Sequence, residues 1–308
     1  MDLSRLHGIF PPILTPLHED QRIDHESLAS LVDYLIGEGV HGIWAMGTTG
    51  EFACFDADER EAAVITTVKA ARGRGPVIAN VGDASTLLTI EHARRAERAG
   101  VDAIAATPPY YYPNSQTELE RYFREVAASV SIPLLLYHIP QTVKVKVDPP
   151  FMRTLAKDGI IVGLKDSQND LEWYRRVVVN AKQDGVDLRA FLGTTGLIDM
   201  ATYIGGAGAI PGISNVTAAA CVAAYEAARA GDMAGAARHQ ERVIAATGLA
   251  SVVAGASAIG SNFASMKAVL VARGIIKTAA CRSPLRAPTP EEAAQAVKIV
   301  KAAVGAAV

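Results

Sequence analysis

Short runs of apolar and β-branched residues alternate along this chain with longer stretches whose apolar positions recur at helical spacing. The first four short runs are Gly8-Ile-Phe-Pro-Pro-Ile13, Gly42-Ile-Trp-Ala-Met46, Val77-Ile-Ala-Asn-Val81 and Ala103-Ile-Ala-Ala-Thr107. Four more follow: Leu134-Leu-Leu-Tyr137, Ile161-Val-Gly-Leu164, Ala190-Phe-Leu192 and Gly208-Ala-Ile-Pro211. Between them the spacing predicts helices such as Asp24 to Glu38, Asp56 to Arg72, Ser85 to Ala99 and Gln116 to Val130. Asp24, Asp56 and Ser85 suit N-caps, and Gly39, Gly73 and Gly100 stand where helices stop.

Eight strand-helix alternations predict an α/β fold, a parallel (β/α)8 TIM barrel over residues 1–230. From Met233 onward only helical periodicity remains, at about 233–253, 262–273 and 289–306, with a proline-marked link from Arg282 to Pro290. Residues 231–308 therefore read as a C-terminal helical region packed on the barrel, a candidate subunit interface. A doubly wound sheet is the rival architecture, but no Gly-x-Gly-x-x-Gly follows the first strand.

Composition narrows the class. Half of the 308 residues are apolar and only 6% aromatic, which fits aliphatic parallel strands under alanine-rich helices. A formal charge of −2 leaves no electrostatic footprint for nucleic acid or an anionic membrane. No apolar stretch reaches the roughly 18 residues of a membrane span, and the start lacks a secretory pattern. Cys54, Cys221 and Cys281 are too few and scattered for a disulfide framework, so a soluble cytoplasmic protein is expected.

In such barrels chemistry sits at the carboxyl ends of strands. The sixth run ends in Lys165, and a lysine at the end of a buried strand loses its hydration, which lowers its pKa and makes the amine nucleophilic. The ordinary alternative is a lysine that turns outward or pairs with Asp166. The fifth run ends in Tyr137-His-Ile-Pro140, so a phenol stands beside the amine as a candidate proton shuttle. His138 points to the opposite face by strand alternation and is expected to be structural. The second run ends in Gly47-Thr-Thr-Gly-Glu51, whose hydroxyls and N–H groups suit a carboxylate or merely cap a turn. Gly193-Thr-Thr-Gly196 repeats the tetrapeptide, and Tyr110, Tyr111 and Tyr112 fill a proline-stiffened loop. Metal sites lack their usual motifs and no Gly-x-Ser-x-Gly elbow is present. Amine, phenol and hydroxyls together suit imine chemistry without metal or cofactor.

Gly47-Thr-Thr-Gly-Glu51, Tyr137 in Tyr-x-Ile-Pro and Lys165 in Gly-x-Lys-Asp-Ser resemble the signature of the dihydrodipicolinate synthase/N-acetylneuraminate lyase family. The resemblance covers about residues 6–230 and implies the barrel with its helical tail, commonly a tetramer built as a dimer of dimers. It implies that Lys165 forms a Schiff base with pyruvate or a related 2-oxo acid, and that Tyr137 is the general acid/base. Thr48 would relay the proton, with Tyr111 reaching in from a neighbouring subunit. Gly47, Thr49, Ile210 and Gly193 would hold the substrate, Thr49 and nearby N–H groups at the carboxylate and Ile210 through its carbonyl.

Departures from the family pattern bear on the aldehyde partner. Family synthases carry an arginine for the carboxylate of aspartate semialdehyde where this chain has Thr142, with Lys144 and Lys146 as the nearby cations. The acidic pair of the neuraminate lyases is replaced by uncharged Gly193-Thr-Thr195. The expectation is a pyruvate-type lyase or aldolase for a neutral or modestly polar aldehyde, a 2-keto-3-deoxy sugar acid being the example. 4-Hydroxy-tetrahydrodipicolinate synthesis is the closest rival, and a non-catalytic sugar-acid-binding family member the third reading.

Overall fold

The computed structural model describes residues 2–305, so the expected last helical residue, Ala306, lies outside the described residues. Eight parallel strands form one sheet in the order β1-β8-β7-β6-β5-β4-β3-β2. They are β1 Gly8–Ile9, β2 Ile43–Ala45, β3 Val77–Asn80, β4 Ala103–Ala106, β5 Leu134–His138, β6 Gly163–Asp166, β7 Arg189–Leu192 and β8 Gly208–Ala209. A parallel bridge from Pro12 to Trp44 joins the two edges. There the Trp44 N–H donates to the Pro11 carbonyl and the Ile13 N–H to the Trp44 carbonyl, both at 3.0 Å. The sheet is thus a closed (β/α)8 barrel. β1 is shorter than the expected run to Ile13 because Pro11 and Pro12 have no N–H to give a ladder.

The helices are α1 His25–Gly37, α2 Ala57–Ala71, α3 Thr86–Ala99, α4 Gln116–Ala128, α5 Pro140–Val143 and α6 Pro149–Lys157. They continue with α7 Leu171–Gln183, α8 Ile198–Tyr203, α9 Ser214–Arg229, α10 Met233–Ala245, α11 Ala258–Ala272 and α12 Pro290–Val304. Asp24, Asp56 and Ser85 do accept backbone N–H bonds as N-caps. Gly100 closes α3 at φ 85°, a left-handed turn that glycine adopts without a Cβ clash. The expected helix 233–253 is interrupted after Ala245 by a 3-10 turn over Ala246–Ser251, and α11 starts at Ala258, earlier than expected, where Ser257 caps it.

Paired residues on neighbouring strands share a face. Trp44 pairs with Ile78, Leu135 with Gly163, and Tyr137 with Lys165. Phe10 and Phe191 meet edge to face inside the barrel at 5.4 Å. Apolar side chains of the tail, including Val243, Met266, Val269 and Val300, are fully or almost fully buried in the same continuous core. α10 packs on α9, and α12 on α11 and α10. No described helix is long and apolar enough to cross a membrane.

Candidate active site

Lys165 and Tyr137 are register partners on β6 and β5, so both side chains enter the barrel mouth together. Lys165 is 3% exposed. Its Nζ lies 4.1 Å from the centre of the Tyr137 ring and 4.6 Å from that of Trp44. No carboxylate among the described residues pairs with it. Aromatic faces stabilise an ammonium in part, yet burial dominates and pulls the pKa down from 10.5 to about 7. A large fraction of the amine is therefore uncharged at neutral pH.

Asp166, the partner that would have made Lys165 an ordinary ion pair, is occupied on the outer face of the sheet. Its Oδ1 meets His138 Nδ1 at 2.9 Å, both residues fully buried. The Val147 N–H donates to His138 Nε2 at 3.3 Å, so the ring proton sits on Nδ1 and is given to Asp166. His138 also stacks on Trp173 at 4.4 Å. Burial raises the Asp166 pKa, against the His138 hydrogen bond, which lowers it. Strand alternation alone thus separates the buried Lys165 amine from the carboxylate next to it in sequence.

The Tyr137 hydroxyl is 3.1 Å from Thr48 Oγ1. Burial raises its pKa, while the hydroxyls of Thr48 and Ser167 favour the phenolate and partly offset that. The resting phenol therefore keeps its proton and has a partner to exchange it with. Thr48 and Thr49 lie on a single 3-10 turn, Thr48–Gly50, that directly follows β2. Gly47 precedes it because a Cβ there would fall 2.7 Å from Trp44 Nε1. Gly193 is needed for the same kind of reason, since its Cβ would strike the Ser167 hydroxyl at 2.1 Å. Thr49 and Ile210 are both buried, and Thr49 Oγ1 faces Gly212 just beyond β8.

Glu51 finishes the turn in a left-handed conformation, φ 58°. Its carboxylate, buried, meets Lys267 Nζ of α11 at 2.5 Å through Oε1 and accepts the Arg282 N–H at 2.8 Å through Oε2. Lys267 also donates to the Ala280 carbonyl at 2.8 Å. The helical tail is thus bolted to the turn that carries Thr48 and Thr49. Sequence reasoning missed this strut, and no local signal pairs residues so far apart. It also missed Trp44 and Ser167. Trp44 was legible as a strand residue, and its contact with Lys165 comes from barrel closure.

Tyr111 does not join this group within one chain. It is 84% exposed at φ 84°, with Tyr112 also exposed. Tyr110 turns inward instead and donates to Asp83 Oδ1 at 3.1 Å. Asp83 is further held by Arg60 at 2.9 Å and lies 3.0 Å from His92 Nε2.

Residues 5–303 match the Dihydrodipicolinate synthetase family. A probable 2-dehydro-3-deoxy-D-pentonate aldolase of Escherichia coli is 30% identical, over 79% of this chain and 81% of its own length. A 4-hydroxy-tetrahydrodipicolinate synthase of Acidiphilium cryptum is 35% identical over 77% of this chain and 80% of its own. Among solved structures, YagE, a prophage protein of the dihydrodipicolinic acid synthase family from Escherichia coli, crystallised with pyruvate, superposes with a TM-score of 0.89. It is 28% identical, covering 96% of this chain and 98% of the other.

Proposed function

Since the chain belongs to the dihydrodipicolinate synthetase family of Schiff-base lyases and synthases, we propose that it joins pyruvate to, or releases it from, a neutral hydroxylated aldehyde, as a 2-keto-3-deoxy sugar acid aldolase does. The observation that carries the chemistry is Lys165, buried, without a carboxylate partner among the described residues and half-neutral near pH 7. In the cleavage direction its amine attacks the C2 carbonyl of the 2-oxo acid, and the Tyr137 phenol protonates the departing hydroxyl as water leaves. The product is a protonated imine. The tyrosinate takes the proton of the C4 hydroxyl, the C3–C4 bond breaks, and its electrons flow into the imine to give an enamine and the aldehyde. Protonation at C3 and hydrolysis then return pyruvate and the free lysine. Thr48, 3.1 Å from the phenol, relays the proton. Thr49 and the first N–H groups of its turn, which have no intrahelical acceptor, hold the carboxylate; Gly47, Gly193 and Ile210 shape the pocket around it.

The uncharged aldehyde is supported by the segment that replaces the family synthase's arginine. Thr142 Oγ1 donates back at 3.1 Å to the carbonyl of Ile139, the N-cap of α5. Lys144 Nζ is turned to the Gln141 carbonyl at 2.9 Å, and Lys144 and Lys146 are both exposed. Lys144 thus spends its ammonium on its own loop rather than on a second carboxylate. The exposed Leu87 in the first turn of α3, with Tyr111 and Tyr112 in the loop after β4, supports assembly with a second copy that would receive Tyr111, and hence a homo-oligomer.

Borohydride added with pyruvate is expected to leave a reduced adduct on Lys165, read by peptide mass; an unmodified peptide would remove the mechanism. A panel of 2-keto-3-deoxy acids assayed for pyruvate release, beside pyruvate with aspartate semialdehyde in a coupled reductase assay, tests the substrate class. Robust turnover of the semialdehyde would favour the synthase instead.

A further inference from the structure

Three side chains on or just past three consecutive strands, facing the barrel interior, are left with polar atoms that bond to nothing among the described residues. They are Trp44 Nε1, both amide atoms of Asn80, and Thr107 Oγ1. Their orientation follows from register. Trp44 faces inward, because its ring touches Lys165 and Tyr137. It pairs with Ile78, so Asn80, two residues further along β3, faces inward as well. Asn80 pairs with Ala105 on β4, which puts Thr107 on the same face. The β4–β5 ladder runs as far as Ala106 with Leu136, so the next step brings Thr107 alongside Tyr137.

Asn80 is 2% exposed and Thr107 1%. Leaving a buried polar group unpaired costs about 1–3 kcal/mol, and native proteins keep few such groups. Four unpaired atoms on one inner face of the barrel, with Trp44 against the Lys165 amine and Thr107 alongside Tyr137, call for a common partner. The groups are neutral and mixed: an indole donor, an amide that donates and accepts, and a hydroxyl that does both. A carboxylate would find no charge there, whereas a hydroxyl matches each of them. The end of β3 is also fixed from behind, where Arg60 Nη2 donates to the carbonyls of Asn80 and Gly82, each at 3.3 Å. Gly82 makes room for Thr107, since a Cβ there would fall 2.5 Å from its Oγ1.

We propose that Asn80 and Thr107, with Trp44 Nε1, form a specificity subsite for a hydroxyl on the aldehyde-derived part of the substrate. This rests on the Schiff-base lyase reading above and specifies its substrate class. Two probes differ by that one group: 4,5-dihydroxy-2-oxopentanoate, which releases glycolaldehyde, and 4-hydroxy-2-oxopentanoate, which releases acetaldehyde. The wild type should cleave the dihydroxy acid with a kcat/KM about tenfold or more above that of its partner, as a site built to bond a hydroxyl rejects the analogue lacking it. Asn80→Leu and the near-isosteric Thr107→Val should each bring the ratio to within about twofold, with the pyruvate adduct on Lys165 still forming. Thr107→Val carries the test alone if Asn80→Leu fails to fold. Equal losses on both probes would mean that these atoms hold only a structural water, and the proposal falls; it falls too if the wild type shows no preference. Because adduct formation is measured in parallel, failure of the subsite is distinguishable from failure of the Schiff-base reading.

Discussion

Two lysines are buried among the described residues, one in the barrel and one in the helical tail, and the fold treats them in opposite ways. Lys267 is matched by Glu51 and by the Ala280 carbonyl. Lys165 has two aromatic faces and no counter-ion among the described residues. Burying an ammonium is costly unless an anion answers it. At Lys267 the answer makes a strut. At Lys165 the cost is left in place, which destabilises the charged form and leaves a nucleophile. The partner, not the burial, decides whether a buried lysine is held as a charged brace or kept as a largely uncharged amine.

The largest expected effect comes from removing the unpaired member. Lys165→Met should abolish the borohydride adduct and all turnover while making the protein more stable. A shift from 10.5 to about 7, at about 1.4 kcal/mol per unit, bounds the relieved cost at about 5 kcal/mol near neutral pH; denaturant titration reads it. An unchanged or lowered stability would mean that the ammonium is better solvated than its burial indicates. Lys267→Met is the reverse experiment. It leaves Glu51 buried without a counter-charge and should cost about 3–5 kcal/mol. Glu51→Gln combined with Lys267→Met should recover most of that loss, and strict additivity of the two substitutions would deny the pair.

The smallest effect is a slope with pH. The folded-state pKa of Lys165 lies below its unfolded value, so between about pH 7 and 10.5 the unfolded chain binds the extra proton. Stability attributable to this residue is therefore lowest below about pH 7 and rises as pH climbs towards 10.5, by up to about 1.4 kcal/mol per unit. The difference between wild type and Lys165→Met should carry that slope, and a flat difference would break the contrast.

Much of this was legible in the chain. Strand runs, caps and the alternation that sends Lys165 inward and Asp166 outward are local, period-two or period-3.6 facts. Strand lengths were less so, because Pro11 and Pro12 look apolar but cannot donate to a ladder. The wall of the amine pocket was hidden for another reason. Trp44 reaches Lys165 across the closed barrel, and nothing in sequence spacing encodes that distance. Tyr111 was named from resemblance alone, and a single chain leaves it outside, next to solvent.

The Glu51–Lys267 strut also constrains how such proteins can be recombined. A chimera grafting a foreign tail onto this barrel inherits the left-handed bend at Glu51 but needs an incoming lysine at one particular helical turn. Without it, the hydroxyls of Thr48 and Thr49 would sit on an unanchored hinge, so tail and motif have to travel as one heritable unit.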